Sequence, residues 1–174
     1  MKIFGLAGWS GSGKTTLLSG LIPQLRTLGL SVSTVKHAHH AFDVDQPGKD
    51  SYRHREAGAA EVLVTSSQRW ALMHELRGEP EPSFDDLLPR LAPVDVVLVE
   101  GFKRHPHPKL EVWRSAVGHD WMYPADPTVV AVAADIPPEG LKLPCFTLDD
   151  HRAIAMFIAR HLGLSGRPHG GAQQ

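Results

Sequence analysis

The sequence predicts an α/β fold built on a mostly parallel sheet flanked by helices. Three observations carry that prediction. Strand-like and helix-like runs alternate at the start and in the middle of the chain, the pattern of βαβ units. A glycine-rich turn, Gly8-Trp9-Ser10-Gly11-Ser12-Gly13-Lys14-Thr15, joins the first strand-like run to the first helix-like run. The run Val94-Asp95-Val96-Val97-Leu98-Val99 is almost wholly apolar, which suits a strand covered on both faces, as in parallel sheets.

The elements follow in order. Ile3 to Ala7 is a short apolar strand. Thr16 to Leu28 places Leu17, Leu18, Leu21, Ile22, Leu25 and Leu28 at helical spacing. Gly29 is a natural helix stop, and Pro23 falls inside the pattern as a candidate kink. Leu30 to Lys36 is a β-branched second strand, followed by a polar loop from His37 to Lys49. Asp50 or Ser51 is placed to cap a short helix running to Gly58. Glu61 to Thr65 and Arg69 to Leu76 read as a hairpin joined through Ser66-Ser67-Gln68. Ser83 opens a helix with Phe84, Leu87, Leu88 and Leu91 on one face. After the apolar strand come Lys109 to Arg114 and Thr128 to Ala133 as strands, and Cys145 to Leu148 as a short last one. Asp149 or Asp150 caps a helix through about Leu162, on which His161 reads as a packed core histidine. The hairpin and the 109–114 strand are expected to make the sheet mixed. The 174 residues suit one domain, 1–163, with a Gly/Pro-rich disordered tail over 164–174.

Composition narrows the function. A formal net charge of −1 carries no basic excess for nucleic acid or an anionic membrane. The single cysteine, Cys145, excludes an intrachain disulfide framework and suits the cytoplasm. No apolar run approaches the roughly 20 residues of a membrane span.

The glycine-rich turn reads G-x-x-x-x-G-K-[ST], the phosphate-binding loop, in its required strand–loop–helix context. It narrows the fold to that of P-loop NTPases. Gly8, Gly11 and Gly13 let backbone N–H groups close around a phosphate, and the helix N-terminus adds partial positive charge. Lys14 is expected to reach the β- and γ-phosphates, and the Thr15 hydroxyl to ligate Mg²⁺.

Ligands of open α/β sheets bind at the carboxyl ends of the strands. Asp95 starts the apolar strand and Glu100 follows its end, about 17 Å away, so only Glu100 belongs near the phosphates. Glu100 is the candidate for orienting Mg²⁺ through water or for activating an attacking water. Gly101 would allow close approach to a γ-phosphate, and Lys103 would neutralise charge. The 37–50 loop offers Asp43, Asp45 and Asp50 as Mg²⁺ ligands in the manner of switch loops, or is a solvated acidic loop. His37, His39, His40, His105 and His107 are a candidate transition-metal set. No cysteine or fixed ligand spacing accompanies them. Asp135, after a β-branched strand, is a candidate acceptor for guanine N1–H and N2–H₂, or an Asp of a local turn.

Several segments together resemble one family. Ala7 to Thr16, Lys36 to His40, Asp43 to Gly58, Gln68 to Met73 and Val99 to Lys103 are similar to the molybdopterin-guanine dinucleotide biosynthesis adapter proteins, the MobB family. The order and spacing match from residue 1 to about residue 163. The resemblance implies a small homodimeric GTP-binding protein with weak GTPase activity. It would assist the guanylyltransferase that joins GMP to molybdopterin, with molybdopterin as a further candidate ligand. It carries over the loop residues Gly8, Ser10, Gly11, Ser12, Gly13, Lys14, Thr15 and Thr16, then Asp50 and Ser51, and Glu100 and Gly101. Lys14 and Glu100 are the candidate catalytic residues, and Thr15, Asp50 and Glu100 the candidate Mg²⁺ ligands. Two rivals compete. The histidines suggest a metallochaperone GTPase for nickel or zinc. A small-molecule kinase would need an Arg-rich lid, and the 136–148 region contains no Arg.

Overall fold

The first strand is apolar because it runs through the middle of a sheet. In the computed structural model, which describes residues 1–38 and 42–165, β1 (Lys2–Ala7) lies between β5 (Val96–Glu100) and β6 (Lys109–Trp113). Outside β5 lies β2 (Val32–Lys36); outside β6 lie β7 (Val129–Ala134) and the short β8 (Cys145–Phe146). Every pairing in this six-stranded sheet is parallel. The fold class read from the sequence holds, and one detail is corrected. The sheet is not mixed: the 109–114 strand is parallel to its neighbours, and the hairpin forms a separate two-stranded sheet.

The register explains the parallel β6. Leu6 pairs with Glu100 on one side, and Gly5 pairs with Lys109 on the other. The 101–108 connection therefore crosses β1 and joins it part-way up, so it needs no helix for the return. Gly5 makes the crossing possible. A Cβ there would lie 2.3 Å from His107 Nε2, and its N–H donates to Pro108 O at 2.8 Å.

Two helices cover one face: α1 (Lys14–Thr27) and α4 (His151–His161). The core joins Phe4, Leu6, Leu17, Leu21, Leu25, Leu98, Leu110, Ile154 and Ile158, all buried. Gly29 ends α1 as expected. It takes φ 77°, its N–H donates to Arg26 O, and Leu30 N–H donates to Leu25 O. That pair of bonds is the Schellman stop. Pro23 is accommodated within α1. Asp150 caps α4 by accepting from Ala153 N–H at 3.0 Å. His161 is exposed rather than core; its ring lies against Phe157 and Phe4 at the surface end of the apolar stripe.

The described chain falls into two units. One comprises the chain up to His37 and from Leu91 onward, and holds the six-stranded sheet; the other is Ala38–Arg90. The second contains α2 (Asp50–Glu56), the hairpin strands β3 (Glu61–Thr65) and β4 (Trp70–His74), and α3 (Phe84–Leu87). Lys49, rather than Asp50 or Ser51, occupies the N-cap position of α2 and makes no side-chain cap; Asp50 and Ser51 lie in the first turn. Ser83 and Asp86 form a reciprocal capping box for α3, which tightens into a 3₁₀ turn at Leu88–Arg90 and stops short of Leu91. Arg55 is the hub of this unit. It pairs with Asp43 at 2.7 Å, Asp45 at 3.4 Å and Glu75 at 3.0 Å.

Candidate phosphate-binding site

The turn between β1 and α1 has the backbone that its glycines permit. Gly8, Gly11 and Gly13 adopt φ of 139°, 80° and 96°, values disfavoured for any residue with a Cβ. Gly8 has a second reason. A Cβ there would approach Val112 O of β6 to 2.4 Å. Gly13 precedes the first helical residue, so the free N–H groups of the first turn of α1, from Lys14 through Thr16, open onto the loop. Ser12 is buried, while Ser10, Thr15 and Thr16 lie on the exposed side. Lys14 folds back over the loop, with Nζ donating to Gly8 O at 3.0 Å and Trp9 O at 2.8 Å. Burial pushes its ammonium below the ordinary lysine range; Glu100 opposes that shift, and Lys103 and Lys36 add to it.

Thr15 and Glu100 come together as expected. The Thr15 hydroxyl donates to Glu100 Oε1 at 3.1 Å and to Oε2 at 3.2 Å. Lys36 Nζ stands 3.9 Å from the same carboxylate, whose side chain is only 14% exposed. Paired oxygens of this kind fit Mg²⁺, which binds through one or two protein oxygens together with phosphate oxygens and water.

The residues after Glu100 form a strained corner. Gly101 takes φ 103°, and a Cβ there would meet His37 Cβ at 2.6 Å. Phe102 takes φ 46°, unusual for a side chain of its size. Its ring lies 4.7 Å from that of His37, and His37 N–H donates to Glu100 O at 2.8 Å. Lys103 extends over the Trp9 ring, 5.2 Å from its centroid.

Other candidates sit differently. Asp135 lies at the carboxyl end of β7, but its carboxylate accepts from Ser115 N–H at 2.9 Å, Ser115 Oγ at 2.8 Å and Ile136 N–H at 2.9 Å. These bonds, led by that from the Ser115 backbone, hold it below the usual carboxylate range. Asp95, far from the site as argued, ties β5 to Ser31 through N–H and Oγ at 2.8 and 2.6 Å. Asp50 and Ser51 belong to the Ala38–Arg90 unit. Asp50 is exposed, and Ser51 Oγ donates to Asp45 at 2.8 Å. Asp43 and Asp45 are engaged with Arg55 instead of standing free as Mg²⁺ ligands.

The histidine set is not assembled among the described residues, where no three His, Cys, Asp or Glu side chains converge as a metal site. His105 and His107 do pair, Nδ1 to Nδ1 at 2.7 Å. His39 and His40 fall outside the described residues.

Sequence reasoning missed two features. The first is a row of buried polar side chains leading into and along β6: His107, Lys109 and Glu111. Lys109 Nζ donates to Thr128 Oγ1 and to His105 O at 2.8 Å, and lies 3.7 Å from Asp126. Glu111 accepts from Met122 N–H at 2.7 Å and Tyr123 N–H at 2.9 Å, and burial pushes its carboxyl up. The second is Arg114, whose Nε donates to Ser12 O in the phosphate loop at 3.2 Å. Neither leaves a local signature, because both depend on β6 lying beside β1.

Comparison with known proteins agrees with this geometry. The family model described as "Molybdopterin guanine dinucleotide synthesis protein B" matches residues 3–135. The chain is 43% identical over 161 residues to a molybdopterin-guanine dinucleotide biosynthesis adapter protein of Escherichia coli K12, covering 91% of each chain. It is also 43% identical to the protein of that name from Haemophilus influenzae, covering 93% of this chain and 90% of that one. Among solved structures, a MobB homolog from Bacillus stearothermophilus superposes with a TM-score of 0.69 at 28% identity, covering 94% of this chain and 99% of that one. MobB of Bacillus subtilis gives 0.72 at 25% identity, covering 93% and 98%. A matched model spanning most of the chain and two full-length relatives at this identity place the chain in the MobB family.

Proposed function

We propose that this chain is a GTP-binding adapter with weak GTPase activity that works in molybdenum cofactor biosynthesis. It would assist the guanylyltransferase that attaches GMP to molybdopterin. The observation that carries the nucleotide reading is the Thr15–Glu100 contact at 3.1 Å beneath a complete phosphate loop. The names of the family relatives support the pathway.

Each residue has a stated part. The N–H groups of the loop and of the first turn of α1, through Thr16, hold the phosphates. Lys14 exchanges the carbonyls of Gly8 and Trp9 for phosphate oxygens, a neutral acceptor for a charged one. Thr15 and Glu100 would hold Mg²⁺, which neutralises phosphate charge when bound. Glu100 lies at the γ-phosphate end, where its carboxylate orients the attacking water or takes its proton. Gly101 leaves room for the γ-phosphate. Asp135 would read guanine only by giving up bonds from Ser115. Asp50 and Ser51 are proposed as further nucleotide-binding residues, Asp50 as an oxygen ligand of Mg²⁺.

The active form is proposed to be a cytoplasmic homodimer closed through the hairpin. The 37–50 loop is proposed to meet the guanylyltransferase. Phe42 and Val44, 75% and 71% exposed, are its apolar contact points. Asp45 is unsuited to testing that contact, because its reversal would also break bonds to Arg55 and Ser51.

The test is a pull-down of the purified guanylyltransferase with GTP or GDP present. Wild type should bind it, Phe42→Asp should bind it at least about tenfold more weakly, and both should bind GTP equally. Equal capture of the variant refutes the contact; no capture of wild type refutes the adapter role.

A further inference from the structure

Two cationic side chains bracket the phosphate loop, and the phosphate-loop motif contains only one of them. Lys14 Nζ sits at the loop's start, on the carbonyls of Gly8 and Trp9. Arg114 sits at its end. Its Nε donates to Ser12 O at 3.2 Å, and a Cβ on Gly13 would lie 3.2 Å from that Nε and 3.4 Å from Nη2. The guanidinium therefore rests against the Ser12–Gly13 peptide at the N-terminus of α1.

Its backbone is fixed on both sides. Trp113 stacks on Trp121 at 4.4 Å, and Ser115 N–H donates to Asp135. The segment after it is tied to the loop again where Trp9 Nε1 donates to Asp120 O at 2.9 Å. A guanidinium has five N–H donors. Ser12 O accepts one, and among the described residues no carboxylate pairs with the rest. A preorganised guanidinium with donors to spare, at a helix N-terminus, matches a phosphate bidentately.

We propose that Arg114 is a nucleotide-binding residue that grips the α- and β-phosphates from the helix end of the loop, opposite Lys14. This rests on the nucleotide reading above. Lys14 serves the β- and γ-phosphates, so the two cations divide the chain of phosphates between them. Arg114 then contributes equally to nucleoside di- and triphosphates and does not discriminate between them.

Arg114→Gln isolates the contact. The glutamine amide nitrogen stands where Nε stands and keeps a donor for Ser12 O, while the charge and both Nη groups are lost. Titration with fluorescent GTP and GDP analogues should show Kd rising about tenfold or more for both. The slope of log Kd against log salt should become shallower, with the melting temperature of the nucleotide-free protein unchanged. Unchanged affinities overturn the proposal, and a loss for GTP alone overturns the assignment to α and β. If the glutamine lowers the melting temperature, Arg114→Lys decides, since it keeps charge and drops the Ser12 bond. Binding weaker than wild type but clearly tighter than that of the glutamine then supports phosphate contact, because the charge survives and the bidentate fork does not, and a loss equal to that of glutamine overturns it. Lys14→Ala runs alongside. A wild type that binds neither nucleotide refutes the parent reading. Loss in Lys14→Ala with none in Arg114→Gln refutes only the role of Arg114.

Discussion

Lys14 and Glu100 are each held by contacts that a nucleotide would have to replace. Lys14 bonds two neutral carbonyls of its own loop, so the exchange favours an anionic phosphate. Lys14→Ala should leave the melting temperature near wild type and weaken GTP binding by about 1.5–3 kcal/mol or more, read by calorimetry. An unchanged Kd would show that the loop is not the site. Glu100→Gln keeps the shape and an acceptor for Thr15 but removes the charge. GTP binding should persist while phosphate release slows at least about tenfold; a wild-type rate with ordinary Mg²⁺ dependence removes Glu100 from both of its roles. At this scale the sequence was legible where chemistry depends on neighbours in the chain. The loop, and Glu100 at a strand end, were readable for that reason. Arg114 was not, because a lone arginine after a strand means nothing until β6 is known to lie beside β1. The pairing of Asp43 and Asp45 was not legible because their partner, Arg55, follows at a spacing that marks no motif.

The elements that carry the site are bound by close approaches that only glycine tolerates. At the end of β5, Gly101 sits against His37 with φ 103°. Gly101→Ala should cost about 1–3 kcal/mol of stability from the left-handed backbone alone, measured by urea unfolding; a variant as stable as wild type would show that this corner is soft. The connection into β6 is the element least legible in the sequence. No local hydrophobic pattern marks His105-Pro106-His107-Pro108 as buried, yet His107 is 4% exposed and Lys109 is 2% exposed. The crossing over Gly5 buries them, and a local hydrophobic pattern cannot register a crossing. Burial, with Lys109 and then His105 adding charge, lowers His107 from 6.5 to about 4, and Asp126 opposes this. The folded chain therefore binds fewer protons than the unfolded chain between those values. The stability this neutral histidine supports is whole above pH 6.5 and is lost as pH falls towards 4. Urea midpoints should decline from pH 7 to pH 5, and His107→Gln should flatten that decline. An equal slope in the variant places the acid sensitivity elsewhere.

For the whole molecule, the strand alternation that made the hairpin readable also leaves it half covered. The register pairs Leu63 with Leu72 and Thr65 with Trp70, so Leu63, Trp70 and Leu72 share one face. The opposite face carries Val62, which is buried, Met73, which is half-buried, and Val64, which is 44% exposed. The first face is open, with Leu63 61%, Trp70 67% and Leu72 44% exposed. An antiparallel ribbon with one apolar face in water is marginal by itself, and its free edges invite another strand. A second copy would cover both needs at once, because a two-fold pairing would set the same face against itself and close. The sheet order was less legible than this face, since which strand neighbours which depends on crossovers that leave no periodicity. Light scattering should give twice the 19.0 kDa chain mass at micromolar concentration. Trp70→Asp should yield the single mass, because a carboxylate at the centre of an apolar contact costs several kcal/mol to bury. GTP affinity should be retained, since Trp70 lies in β4 and is none of the proposed nucleotide-binding residues. A monomeric wild type removes the dimer, and a Trp70→Asp dimer moves its interface away from the hairpin.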